Sequence, residues 1–146
     1  MTTALVSGSN GLLGRPLVEH LVKQGHEVIA VDDLSNSDPI PEWSSNSAIE
    51  FITLDITNLV AAEVLTDVMK YHEKKVEVIF HLAARPYEGL SQFTPCLVSE
   101  TAVIGTLNVL RAAINCGSVR RFCNVSCHDS RTRALTKDGL RRYDQL

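Results

Sequence analysis

Gly8, Gly11 and Gly14 stand at intervals of three near the start of the chain, and Asp32 lies 18 residues beyond the last of them, followed at once by Asp33. Glycines so placed have a shared task when they join a strand to a helix. The first permits a tight turn, the second lets the backbone approach a diphosphate, and the third lets the helix pack close to the sheet. Asn10, Leu12 and Leu13 fall inside the same turn. Free N–H groups and the positive end of the following helix then face the phosphates. A carboxylate roughly 20 residues on can accept both hydroxyls of an adenosine ribose. This is chemistry for holding a dinucleotide. Glycines in a tight turn are common, so the elements around them must decide.

Those elements are in register. Residues 4–7 (ALVS) are apolar and uncharged, as suits a strand buried on both faces. Leu17, Val18, Leu21 and Val22 recur at helical spacing, and Gly25 stops the helix. Residues 26–31 form a second apolar run that ends at Asp32 and Asp33. Strand, glycine turn, helix, strand and acid make one βαβ unit. The cofactor expected there is NAD, because a carboxylate at Asp32 repels a 2′-phosphate and no arginine follows it to compensate. Arg15, just past the third glycine, is the cation with reach to a phosphate.

The spacing is GxxGxxG rather than GxGxxG, and with the rest of residues 4–33 it resembles the short-chain dehydrogenase/reductase superfamily. The extended type is the nearest match: the NAD-dependent epimerase/dehydratase family that acts on nucleotide sugars. The run VIAVDDLSNS (28–37) is similar to UDP-glucose 4-epimerases. The resemblance implies that Leu34, Ser35, Asn36 and Ser37 line the adenosine. It also implies that Asp55 and Ile56 lie beside the adenine, and that Leu82, Ala83, Ala84 and Arg85 run along the cofactor's central portion. His81, which opens that last segment, reads as structural. Ser91 and Pro95 also stand at family positions.

The rest of the chain continues the pattern. Residues 34–47 are polar and broken by Pro39 and Pro41, hence a loop, in which Trp43 is expected to anchor rather than cover the adenine. Residues 49–54 read as a third strand. Asp55 suits a cap for the next helix as well as an adenine contact. Residues 58–72 have helical spacing. Tyr71 and Lys75 have the YxxxK form of the superfamily's catalytic pair, but they precede the fourth strand (76–80) and would sit away from the edge where ligands bind. They are not the active site. A long apolar helix spans 95–116 and ends at Gly117; within it VIGTLNVLRAA (103–113) resembles the family's helix, with Ala102 where the family has asparagine. Residues 121–126 read as a fifth strand. The fold expected is α/β: a doubly wound, Rossmann-like parallel sheet of five strands in the order 3-2-1-4-5, with the crevice between strands 1 and 4.

The resemblance covers 4–127, under half of a typical family member. The family's fifth strand ends in two small hydroxyl residues; here the pair is Ser126 and Cys127. A thiol donates weakly. Tyr143 has only three residues after it, so no lysine stands four places on. On this reading the catalytic tyrosine and lysine are expected to have no counterpart in these residues, and the C-terminal substrate lobe is expected to be absent. The expected reading is the NAD-binding half of a nucleotide-sugar epimerase or dehydratase, inactive by itself. A nucleotide sugar would be a partner only with the missing half supplied. The alternative is a non-catalytic module that senses NAD or docks on a protein, with a homodimer among the options. The fifth strand should present an uncovered edge and the helix at 95–116 an unpaired face, so weak solution behaviour is expected.

Composition agrees with one globular domain. At 146 residues, 45% hydrophobic and 21% charged, the chain can bury about 70% of its unfolded surface. Cys96, Cys116, Cys123 and Cys127 form no CxxC pair, so buried reduced thiols are expected and a metal site is not. No apolar run approaches the roughly 20 residues of a membrane span, and no signal core is seen, so the expected setting is cytoplasmic, with no membrane partner. Residues 1–118 carry seven basic and fourteen acidic side chains, and 119–146 carry seven and three. Residues 1–127 thus read as the NAD-binding domain and 128–146 as a basic, solvated and disordered tail. No aromatic ladder accompanies the basic residues, so nucleic acid is not the expected partner.

Overall fold

Three apolar runs become the inner strands of the sheet: β1 (Thr3–Ser7), β2 (Glu27–Asp32) and β4 (Val76–His81); β3 (Ile49–Thr53) and β5 (Arg121–Asn124) form its edges. All pairings are parallel and the order is β3-β2-β1-β4-β5, as the sequence predicts. The computed structural model describes residues 2–35, 40–72, 75–85 and 92–125. Asn36, Ser37, Ser91, Ser126, Cys127 and the basic tail lie outside the described residues.

Helices cover both faces of this sheet. Alternate residues of each strand point to opposite sides, and the core divides accordingly. On one side Val6, Val28, Ala30 and Ile49 pack against Val18, Leu17, Leu21 and Val22 of α1 (Gly14–Lys23). Trp43 joins that layer, its ring edge-on to Phe51 at a centroid distance of 5.8 Å. It is an anchor for its loop, as expected. On the other side Leu5, Ile29, Val31 and Ile79 meet Leu65 and Met69 of α2 (Ala61–Tyr71). Val109, Ala112 and Ala113 of α3 (Pro95–Cys116) complete this layer. Every inner strand is covered twice, which is why each reads as a continuous apolar run.

Three features differ from the sequence reading. First, α2 begins at Ala61, not at 58, and no side chain caps it. Second, α3 is not uniform: Glu100–Gly105 is wound as a π-helix between α-helical ends. Such wide turns recur at functional sites. Third, α3 is 22 residues long with a mean hydropathy of 1.4 in its most apolar window, so one helix does have the length and composition of a membrane span. This corrects the expectation that no apolar run approaches a membrane span; Glu100 and Arg111 interrupt the apolar stretch without lowering its mean hydropathy below that of a span. The helix is nevertheless tied into the domain. Its inner face lies in the core, Arg111 pairs with Glu63 of α2, and Asn108 donates to the carbonyls of Ile56 and Asn58. Leu97, Val103, Ile104, Leu107, Leu110 and Ile114 leave the other face apolar and exposed.

A buried polar link joins β1, β4 and α3. The Thr106 hydroxyl donates to the carbonyl of Ala102 at 2.7 Å, so its oxygen is left to accept from His81 Nε2 at 3.0 Å. His81 Nδ1 then accepts from the Ser7 hydroxyl at 2.6 Å. His81 is structural, as expected, and burial lowers its pKa. The unfolded chain therefore binds the extra proton first. Stability should be fully present above the unfolded value near 6.5 and be lost as pH falls from there towards the lowered folded value. Urea melts between pH 7.5 and 5 will show this slope, and His81→Gln should flatten it. An equal slope in the variant would contradict the assignment.

Candidate functional site

The C-terminal ends of β1, β2 and β4 open on a cleft of about 620 Å³. That size suits a cofactor. The cleft lies at the expected switch point, where the chain leaves β1 for β2 on one side and β4 lies on the other.

The glycine turn forms one wall. Gly8 adopts φ +72°, and a Cβ there would lie 2.7 Å from the backbone nitrogen of Ala83. A Cβ on Gly14 would collide with the carbonyl oxygen of Gly8 and lie 2.7 Å from the carbonyl carbon of Ser9. Both contacts are with backbone. The first glycine thus allows the turn and the approach of β4, and the third allows the helix start to sit on the turn. Leu12 and Leu13 line the cleft and are exposed. Asn10 is 2% exposed and is not among the residues that line the cleft. Its backbone N–H donates to Asp32 Oδ2 at 2.8 Å, and its side-chain oxygen accepts from Arg15 Nε at 2.9 Å. Arg15 is thereby directed at Asn10 and does not line the cleft.

Asp32 ends β2 and faces the cleft. Its Oδ1 accepts from the backbone N–H of Leu34 at 2.9 Å, and Leu34 takes the left-handed conformation at φ +60°. A leucine in that region carries strain, a feature that clusters at ligand sites. Asp33 Oδ1 accepts from the N–H and hydroxyl of Ser35. Its Oδ2 receives Arg85 Nη2 at 3.2 Å. A carboxylate has about four acceptor sites, so Asp32 retains capacity for two ribose hydroxyls.

Asp55 and Ile56 line the far end. Asp55 does not cap α2, which starts six residues later; it holds the turn below itself by accepting from the N–H and hydroxyl of Thr57. Leu82, Ala83, Ala84 and Arg85 line the opposite side. The structure thus brings together Gly8, Gly11, Leu12, Leu13, Gly14, Asp32, Asp33, Ser35, Asp55, Ile56 and the 82–85 segment. Leu34 touches the site through Asp32 but does not line the cleft. Tyr71 is exposed at the end of α2, and Lys75 immediately precedes β4, at the opposite edge of the sheet. That confirms that the YxxxK pair is no part of this site.

Four contributors were not legible as site residues: Val31, Leu54, Thr101 and Val125 all line the cleft. Thr101 comes from the π-wound stretch, donates to the carbonyl of Leu97 and accepts from Arg85 Nε at 3.3 Å.

The model of the NAD dependent epimerase/dehydratase family matches residues 4–130. The chain belongs to that family. A UDP-glucose 4-epimerase of Mycolicibacterium smegmatis is 33% identical to this epimerase-family chain over 124 residues, 84% of the chain and 37% of the relative. One of Klebsiella pneumoniae is 30% identical over 122 residues, 81% of the chain and 84% of that protein. Among solved structures, the UDP-glucose-4-epimerase of Stenotrophomonas maltophila with bound NAD and formylated UDP-arabinopyranose superposes with a TM-score of 0.71 at 27% identity. That match covers 80% of this chain and 34% of the solved one. The family domain described here thus spans about a third of the Mycolicibacterium and Stenotrophomonas proteins and most of the Klebsiella one.

Proposed function

We propose that this chain is the NAD-binding portion of a nucleotide-sugar epimerase or dehydratase. The observation that carries the reading is the meeting of the glycine turn, Asp32 and the 82–85 segment around one cleft. Asp32 accepts the adenosine ribose hydroxyls, and the N–H groups after Gly11 face the diphosphate. Asp55 and Ile56 flank the adenine, while Ala83 and Ala84 admit the central portion without steric conflict. Bound NAD would supply a transient hydride acceptor. The chain's own task is to orient it and to shield one side from water.

Catalysis needs an acid/base group positioned at the sugar. The family tyrosine and lysine have no counterpart at the expected place, so these 146 residues are expected to bind cofactor without turning over a UDP-sugar. The nucleotide sugar enters only where the rest of such an enzyme is supplied, in a cytoplasmic setting. Residues 1–127 are the cofactor domain in this reading, and 128–146 a basic tail. A second reading, an NAD-sensing or partner-docking module, is favoured by the exposed apolar row on α3, which also suits a second copy.

Unfolding with and without NAD⁺ tests the reading. At 100 times its dissociation constant, NAD⁺ should stabilise the fold by about 2.7 kcal/mol. UDP-glucose and UDP-galactose should show no interconversion. Absence of stabilisation in a folded sample would refute the cofactor assignment, and robust turnover would refute the assignment as an inactive portion.

A further inference from the structure

Arg85 is the one cation among the described residues that line the cleft, and three carboxylates, Asp32, Asp33 and Asp55, line it as well. It reaches back from the end of β4 to Asp33, the residue next to the proposed ribose acid. Nη2 stands 3.2 Å from Asp33 Oδ2, with the arginine side chain 17% exposed and the aspartate 30%. Nε is held by Thr101, which is 8% exposed and fixed in turn to the carbonyl of Leu97. An arginine near the ribose acid is what a site needs to accept a 2′-phosphate. Here such an arginine is present, but its charge is committed to Asp33.

We propose that Asp33 masks Arg85, and that this ion pair, oriented by Thr101, determines the preference for a dinucleotide without a 2′-phosphate. The inference rests on the cofactor reading above and goes further, because it assigns the choice between two cofactors to a contact across the cleft. Asp32 alone repels the extra phosphate. Among the described residues that line the cleft, the pair engages the one cation that would offset the repulsion. Arg85 and Asp33 are therefore specificity-determining residues, and Thr101 is a positioning residue.

The test measures dissociation constants for NAD⁺ and NADP⁺ with the 146-residue chain and with Asp33→Asn, Arg85→Gln and the double variant. Folding of each is checked by melting. The wild-type chain should favour NAD⁺. Freed in Asp33→Asn, Arg85 can make a charge-assisted bond to the 2′-phosphate, so the ratio of the two constants should move about tenfold or more towards NADP⁺. That movement should disappear in the double variant. Thr101→Val in the Asp33→Asn background should reduce it while leaving Arg85 in place. A shift of the same size in the double variant would assign the effect to lost repulsion alone and overturn the proposal, as would no shift in Asp33→Asn. Binding of neither dinucleotide by the folded wild-type chain would overturn the cofactor reading and this inference together. Binding of NAD⁺ with no response to Asp33→Asn overturns only the inference.

Discussion

Gly14→Ala should be among the most damaging single substitutions in the chain. Its Cβ would meet the carbonyl oxygen of Gly8 and the backbone of Ser9, and neither can swing aside as a side-chain tip would. Relief requires moving α1 away from the turn, which opens the layer formed by Leu17, Val18 and Val22 on the sheet. A cost of about 3 kcal/mol or more is expected, a large share of the stability of an ordinary domain. Gly8→Ala should do comparable harm by a different route. Its left-handed φ adds about 1–2 kcal/mol to a contact with the Ala83 backbone. Gly25 provides the control. It also has a positive φ, at +80°, but a Cβ there meets nothing within 4 Å. Gly25→Ala should therefore cost only the backbone penalty, about 1–2 kcal/mol. Denaturant midpoints rank the three. Gly14→Ala within 1 kcal/mol of wild type would mean that the turn is looser than the structure has it.

Asp32→Ala should remove NAD binding by about a hundredfold or more. The carboxylate supplies acceptors for two hydroxyls, and each hydrogen bond to a charged group contributes roughly 1.5–3 kcal/mol. The variant should also lose stability. Asn10 is buried, and its N–H would lose the Asp32 oxygen at 2.8 Å, at a cost of about 1–3 kcal/mol. Asp32→Asn keeps one acceptor and should fall between. Calorimetric titration alongside melting separates the two losses. Wild-type affinity in a folded Asp32→Ala would place the ribose elsewhere.

The strands and the glycine turn could be read in advance because each leaves a local mark. A strand covered on both faces must be largely apolar, as 4–6, 28–31 and 78–80 are. A turn that brings backbone against backbone must use glycine. Contacts between distant residues leave no such mark. Arg85 and Asp33 are 52 positions apart, and nothing in either segment announces their pairing. No arginine stands directly beside Asp32 in the chain, and the guanidinium that reaches Asp33 arrives from the segment after β4. Asn108 is similar: within a recognisable helix motif, its task is to hold the loop after β3, 50 and 52 positions away. The π-wound turns of α3 were equally hidden, since apolar spacing in 95–116 fits an ordinary helix. Asp55 has the residue type of a cap, but its carboxylate is used by Thr57 instead. Local chemistry therefore predicted which segments meet at the cleft, and tertiary contacts decided which groups there are already engaged.

The central claim is that NAD occupies the cleft between the glycine turn and the 82–85 segment. At 16.1 kDa the chain suits amide NMR. Titration with NAD⁺ should shift the amides of residues 11–14, 32–35, 55–56 and 82–85, saturably and with one dissociation constant. The exposed face of α1 and the N-terminal edge of the sheet around Lys75 should stay unmoved. An unchanged spectrum from the folded protein, or shifts centred on another surface, would contradict the account.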